Sequence, residues 1–89
     1  IYIWNTEYNE VIKSFIAHSN SIYSLAVTRE NSNYYFATIG NDRYLRLWRY
    51  NSLNDNHNSE VYLLAERKFQ HELRKVKFSY DGIYLAVAT

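Results

Sequence analysis

His18, Ser24, Thr38 and Asp42 supply the residue types of a nucleophilic hydrolase: a hydroxyl to attack, an imidazole to take its proton and a carboxylate to orient the imidazole. Types alone do not make the chemistry. Ser24 sits in SIYSLAVT, with no nucleophile elbow around it, and no segment reads as an oxyanion-hole motif. A metal centre is supplied no better, because His18, His57 and His71 are scattered, with no ligand pair at helical or zinc-finger spacing. The residues therefore point to a protein that is not an enzyme. No cofactor, bound metal or small-molecule substrate is expected.

What must position these side chains is the stretch Tyr34 to Tyr50, YYFATIGNDRYLRLWRY. Tyr34, Phe36 and Thr38 alternate with Tyr35, Ala37 and Ile39, and after a turn Leu45 and Leu47 oppose Tyr44, Arg46 and Trp48. Both faces of this hairpin are apolar. A sheet with one face in water would be polar on that face, so two further layers must cover it. Its turn is Gly40–Arg43, GNDR, where Gly40 can take a left-handed conformation and Asn41 tolerates one. Residues 28–33, TRENSN, read as the loop before the hairpin.

The pattern recurs. Trp4 in IYIWN and Trp48 in LRLWR stand 44 positions apart (48 − 4), within the period of about 40–45 residues of tryptophan-aspartate repeats, four strands to a unit. SIYSLAVT (21–28) aligns with ELRKVKFS (72–79) at one offset, 51 (73 − 22), matching Ile22 with Leu73, Leu25 with Val76 and Val27 with Phe78. The longer offset reflects the loop after Trp48. KVKFSYDGIYLAVAT closes the chain, with Asp81-Gly82 as its clearest hairpin signal.

On these residues the chain resembles the WD-repeat β-propeller family over nearly its whole length, as a fragment covering about two blades. IYIWN resembles a third strand, EVIKSF the fourth, AHSNSIYSLAVT the lead-in and inner strand of the next blade, and the closing stretch the Phe-Ser-Pro-Asp-Gly opening of another. Tyr80 stands where the family has proline, Asn5 and Arg49 follow the tryptophans in place of aspartate, and Ala17 replaces the glycine before His18. The resemblance implies an all-β fold of propeller blades of four antiparallel strands, one complete blade flanked by two partial blades. Residues 1–15 would end one blade, 16–68 form the complete one with a long polar loop at 51–60, and 69–89 open the next. It also implies that His18, Thr38, Asp42 and Trp48 form a hydrogen-bonded chain within the complete blade, and that Asn20, Asn41 and Arg43 lie on the loop rim that grips protein partners. The expected function is a non-catalytic protein–protein interaction scaffold in a larger intracellular complex, cytoplasmic or nuclear.

Composition bounds the rest. The chain has 89 residues, a formal net charge of +1, ten Tyr, and no Pro, Cys or Met. A core built from so few residues is modest. The missing initiator Met, and ends inside strand patterns at Ile1 and Thr89, point to a segment of a longer protein. Absence of Cys removes any disulfide framework, and no apolar run of about 18 residues offers a membrane span. Near-neutral charge argues against a strongly nucleic-acid-binding surface. ERKFQHELRKVK (66–77) nevertheless interleaves Arg67, Lys68, Arg74 and Lys75 with Phe69, the composition of an RNA contact, so an RNA-associated subunit is the alternative. Lys75 and Lys77 alternate with Val76 and Phe78, which places the cations on a solvated face. His71 stands closer to Leu73 than His18 does to Ile22, so it does not repeat the role of His18.

Overall fold

The computed structural model describes residues 1–51 and 60–89, so the polar excursion expected at 51–60 lies, for 52–59, outside the described residues. Those residues form eight strands and no helix. They are β1 (Tyr2–Asn5), β2 (Glu10–Ser14), β3 (Ile22–Glu30), β4 (Asn33–Gly40), β5 (Tyr44–Asn51), β6 (Val61–Lys68), β7 (Lys75–Phe78) and β8 (Leu85–Ala88). Every pairing is antiparallel, in three sheets: β1-β2, β3-β4-β5-β6 and β7-β8.

The four-stranded sheet is the middle layer, which is why both faces of its central hairpin are apolar. Phe36, Trp48 and Tyr50 on one face are buried with Ala17 and packed by Ile3 of the first sheet and by Ile1 and Phe15, which flank it. Ala37 and Ile39 on the other face are buried against Leu73 and Val76, with Phe78, Leu85 and Val87 of the third sheet around them. Fully burying a side chain such as Ile39 or Leu73 stabilises by about 1.5–3 kcal/mol. The sheet is thus held from both sides by short, strongly apolar contacts.

Register sharpens the relation between the two tryptophans. In the β1-β2 pair, Ile3 faces Lys13 but Trp4 faces Val11; in the β5-β6 pair, Leu47 faces Ala65 but Trp48 faces Leu63. Each outer strand carries an extra residue at the step into the tryptophan, a β-bulge that increases local twist. The same irregularity at the same place is a stronger mark of repetition than the tryptophan itself.

Two local expectations are corrected. Residues 28–33 are not a six-residue loop: β3 runs on to Glu30 and β4 starts at Asn33, with Asn31 in a left-handed conformation (φ 56°) making the tight reversal. At the other end of the hairpin, neither Gly40 nor Asn41 takes positive φ; Arg43 does, at 66°. Gly40 is still in the strand and paired with Ile22.

Candidate functional site

His18 lies before β3, in the segment that crosses the end of the middle sheet, and its ring is held between β4 and the β4–β5 turn. Its Nε2 is 2.9 Å from Thr38 Oγ1, its Nδ1 is 3.0 and 3.1 Å from the two oxygens of Asp42, and Trp48 Nε1 is 3.0 Å from the same Thr38 oxygen. The structure thus brings His18, Thr38, Asp42 and Trp48 into one connected chain.

For a ring that carries one hydrogen, donor capacity assigns the protons on this chain. An indole N–H only donates, so Thr38 Oγ1 accepts from Trp48. An ionised carboxylate only accepts, so His18 carries its hydrogen on Nδ1 and gives it to Asp42. With one hydrogen on the ring, Nε2 is then the acceptor of the Thr38 hydroxyl hydrogen. Each group donates to the next, from indole to hydroxyl to imidazole to carboxylate. Arg46 Nη1 also lies 3.0 Å from His18 Nδ1. Two donors do not bond each other, so the guanidinium is held instead by Ala17 O at 3.0 Å, Asp42 Oδ2 at 3.1 Å and Glu66 Oε2 at 2.8 Å.

Burial would raise the Asp42 carboxyl, but the Tyr44 amide, His18 and Arg46 all hydrogen-bond its anion and leave it below the usual carboxylate range. For Arg46, burial acts against the charge, and the carboxylates of Glu66 and Asp42 outweigh it and raise the guanidinium further. Asp42 also accepts the Tyr44 amide at 3.1 Å, which caps the turn and sets the start of β5. Thr38 is completely buried and His18 is 6% exposed. The hydroxyl is therefore shut away from solvent and already occupied on both sides, and the arrangement anchors a turn.

Ser24, the other hydroxyl of the right type, lies elsewhere: its Oγ accepts the Val76 amide at 3.4 Å, between the second and third sheets. Among the described residues no group of three His, Cys, Asp or Glu is placed to hold a metal ion. No helix among them is long and apolar enough to cross a membrane.

Above the buried chain sits an exposed polar rim. Asn41 Oδ1 accepts the Tyr23 hydroxyl at 2.8 Å, Glu72 Oε1 lies 3.3 Å from the same hydroxyl, and the Asn41 amide donates to Ser21 O at 2.9 Å. Asn20 Oδ1 accepts the Ser21 amide at 2.8 Å, and Arg43 Nη1 donates to Gln70 O at 3.2 Å. Asn20, Asn41 and Arg43 are all exposed and belong to this one rim. No protein-family model matches this chain, and no curated protein matches it.

The basic segment does not gather into one patch by any contact between its members. Arg67 and Lys68 end β6 and lie against rings, Arg67 over Phe69 at 5.8 Å and Lys68 over Tyr44 at 5.8 Å. Arg74 and Lys75 stand at the start of the third sheet, where the Arg74 amide donates to Ala88 O at 2.8 Å.

Sequence reasoning missed three participants. Arg46 was legible in principle, four residues after Asp42 and on the same strand face as Trp48. Glu72 and Tyr23 are far apart in sequence, and no local signal joins them. Gly40 serves space and not backbone freedom: a Cβ there would come within 2.8 Å of His18 Cγ and 2.8 Å of Ser21 O.

Proposed function

We propose that the chain is a pair of WD-repeat-type units serving as a non-catalytic protein–protein interaction scaffold, acting inside the cell, in the cytoplasm or nucleus, within a larger complex. The observation that carries this reading is the connected hydrogen-bonded chain from Trp48 through Thr38 and His18 to Asp42, which fixes the β4–β5 turn under an exposed rim. A rigid platform with polar loop residues and a strand-borne tyrosine on top suits recognition, because little ordering entropy is lost when a partner docks. The four-stranded sheet between two half-sheets, and the bulge repeated before each tryptophan, support the repeat assignment.

Asn20, Asn41 and Arg43 are the contacts this reading assigns, and Tyr23 joins them as the aromatic of the rim. The test is a partner identified by crosslinking in cells and then bound by purified protein. Replacing Asn20, Asn41 and Arg43 together by alanine should weaken that binding with the melting temperature unchanged. Undiminished binding by the triple variant removes the rim from the proposal. Turnover of any substrate that His18→Ala abolishes, with the fold intact, would replace the scaffold reading by an enzymatic one.

A further inference from the structure

Asn20 and Ser21 lie exposed in the segment between His18 and β3. The Ser21 amide donates to Asn20 Oδ1 at 2.8 Å, and the Ser21 hydroxyl lies 3.5 Å from the same oxygen. A side chain that accepts from the next residue's own amide is folded back along the chain, so its carbonyl group stands beside that nitrogen. Asn5 and Asn41 are arranged differently. Asn5 Oδ1 accepts the amides of Glu7 and Tyr8, and Asn41 Oδ1 accepts the Tyr23 hydroxyl, so both carbonyls are held by groups other than the following amide. Ser21 is itself anchored, because its carbonyl accepts the Asn41 amide at 2.9 Å and ties the backbone beyond the nitrogen to the β4–β5 turn.

We propose that Asn20 is a site of spontaneous covalent modification, in which the Ser21 amide nitrogen attacks Asn20 Cγ and the side-chain nitrogen leaves as ammonia. Water or hydroxide takes the proton from Ser21 N, the N–Cγ bond forms, and the Cγ–Nδ2 bond breaks as Nδ2 is protonated. The product is a five-membered cyclic imide spanning residues 20 and 21. Water then opens the ring. Cleavage of the new N–Cγ bond leaves an aspartate side chain at position 20, and cleavage of the original backbone bond leaves an isoaspartate link. By either route one amide and one water become one carboxylate and one ammonium ion, and no other reactant is consumed.

Two features favour the first step. The Asn20 side chain is already turned toward the Ser21 nitrogen, and a rotation about its Cβ–Cγ bond, open to an exposed residue, converts the hydrogen bond into an approach to the carbon. Holding reacting atoms close together removes much of the ordering cost from the barrier. The attack also places negative charge on Oδ1, where the Ser21 hydroxyl is within reach to donate to it. The consequence falls on the rim: a neutral amide among the residues assigned to partner contact becomes a carboxylate. The chemistry itself does not depend on that assignment, so loss or retention of partner binding by rim variants leaves it untouched.

The test uses an internal control, because Asn31-Ser32 is the same dipeptide. Asn31 is also exposed, but it holds φ 56° in the reversal between β3 and β4. Its carbonyl oxygen accepts Arg29 Nε at 2.8 Å, and the Glu30–Asn33 pair closes the ladder around it. Turning Asn31 toward the Ser32 nitrogen means opening that reversal. The wild-type chain is incubated folded at mildly alkaline pH, and peptide mapping by mass spectrometry follows the amide-to-acid conversion at both sites, with isoaspartate counted as product. Asn20 should convert at least about tenfold faster than Asn31 in the folded chain. In urea, where the fold no longer distinguishes two identical dipeptides, the two rates should come together. Equal rates in the folded chain overturn the proposal. So does an excess at Asn20 that survives undiminished in urea, since flanking sequence and not geometry would then set it.

Discussion

Trp4 and Trp48 occupy matching places in matching strand pairs, yet one is 51% exposed and the other 9%. The difference lies in what stands beside each. Trp48 has β4 next to its strand, Phe36 directly across the ladder, the Phe15 ring 5.0 Å away and Thr38 to accept its N–H. Trp4 has only β2. A tryptophan placed as in β1 or β5 is thus not buried by its own hairpin. It becomes a core residue when two inner strands and a neighbouring sheet close over it, and its N–H then needs a partner, because a buried unpaired donor costs about 1–3 kcal/mol.

That contrast can be broken by substitution. Trp48→Ala should destabilise by about 3–5 kcal/mol in urea unfolding, the cost of truncating a buried aromatic, whereas Trp4→Ala should cost clearly less. Equal losses would mean that the four-stranded sheet gives its tryptophan no special protection. Gly40→Ala sharpens the comparison from the other side of the chain: the added methyl must displace His18 or the Ser21 carbonyl, and overpacking of this kind costs about 1–3 kcal/mol.

Asp42→Asn should cost about 1–3 kcal/mol at neutral pH by weakening the charge-assisted bonds from His18 and Arg46. It also has a pH signature. The Asp42 carboxyl is lowered on folding, so its contribution is fully present above the ordinary unfolded value of about 3.9 and is lost as pH falls through the lower folded value. Wild-type stability should therefore fall below about pH 4 more steeply than that of Asp42→Asn, and parallel acid limbs would assign the loss to other carboxylates.

The smallest effect is expected at the turn. Arg43 holds a left-handed conformation that glycine adopts without strain, so Arg43→Gly should be neutral or stabilising by up to about 1 kcal/mol. A clear loss would mean that its bond to Gln70 O outweighs the backbone strain.

What was legible in the sequence follows from how local each signal is. Alternation in Tyr34–Tyr50 gave the central hairpin, and its two apolar faces gave a sheet covered on both sides, because burial writes itself directly into residue type. The spacing of Trp4 and Trp48 suggested a repeat. Turn conformations were misread, since Gly40 is chosen for the imidazole packed on it and the strain passes to Arg43 three residues later. Residue type at the turn therefore reports packing and not backbone geometry. The rim was only partly legible for the same reason: Asn20, Asn41 and Arg43 sit on loops that announce themselves, while Tyr23 and Glu72 meet across 49 residues.

The most direct test of the directed chain from Trp48 to Asp42 is the nitrogen-15 spectrum of the His18 ring at neutral pH. Shifts of a ring with hydrogen on Nδ1 and a hydrogen-bonded Nε2 that accepts are expected. Hydrogen on Nε2 with a bare Nδ1 would contradict the assignment, since Asp42 would then have no proton to accept from the ring and the Thr38 hydroxyl no acceptor in it.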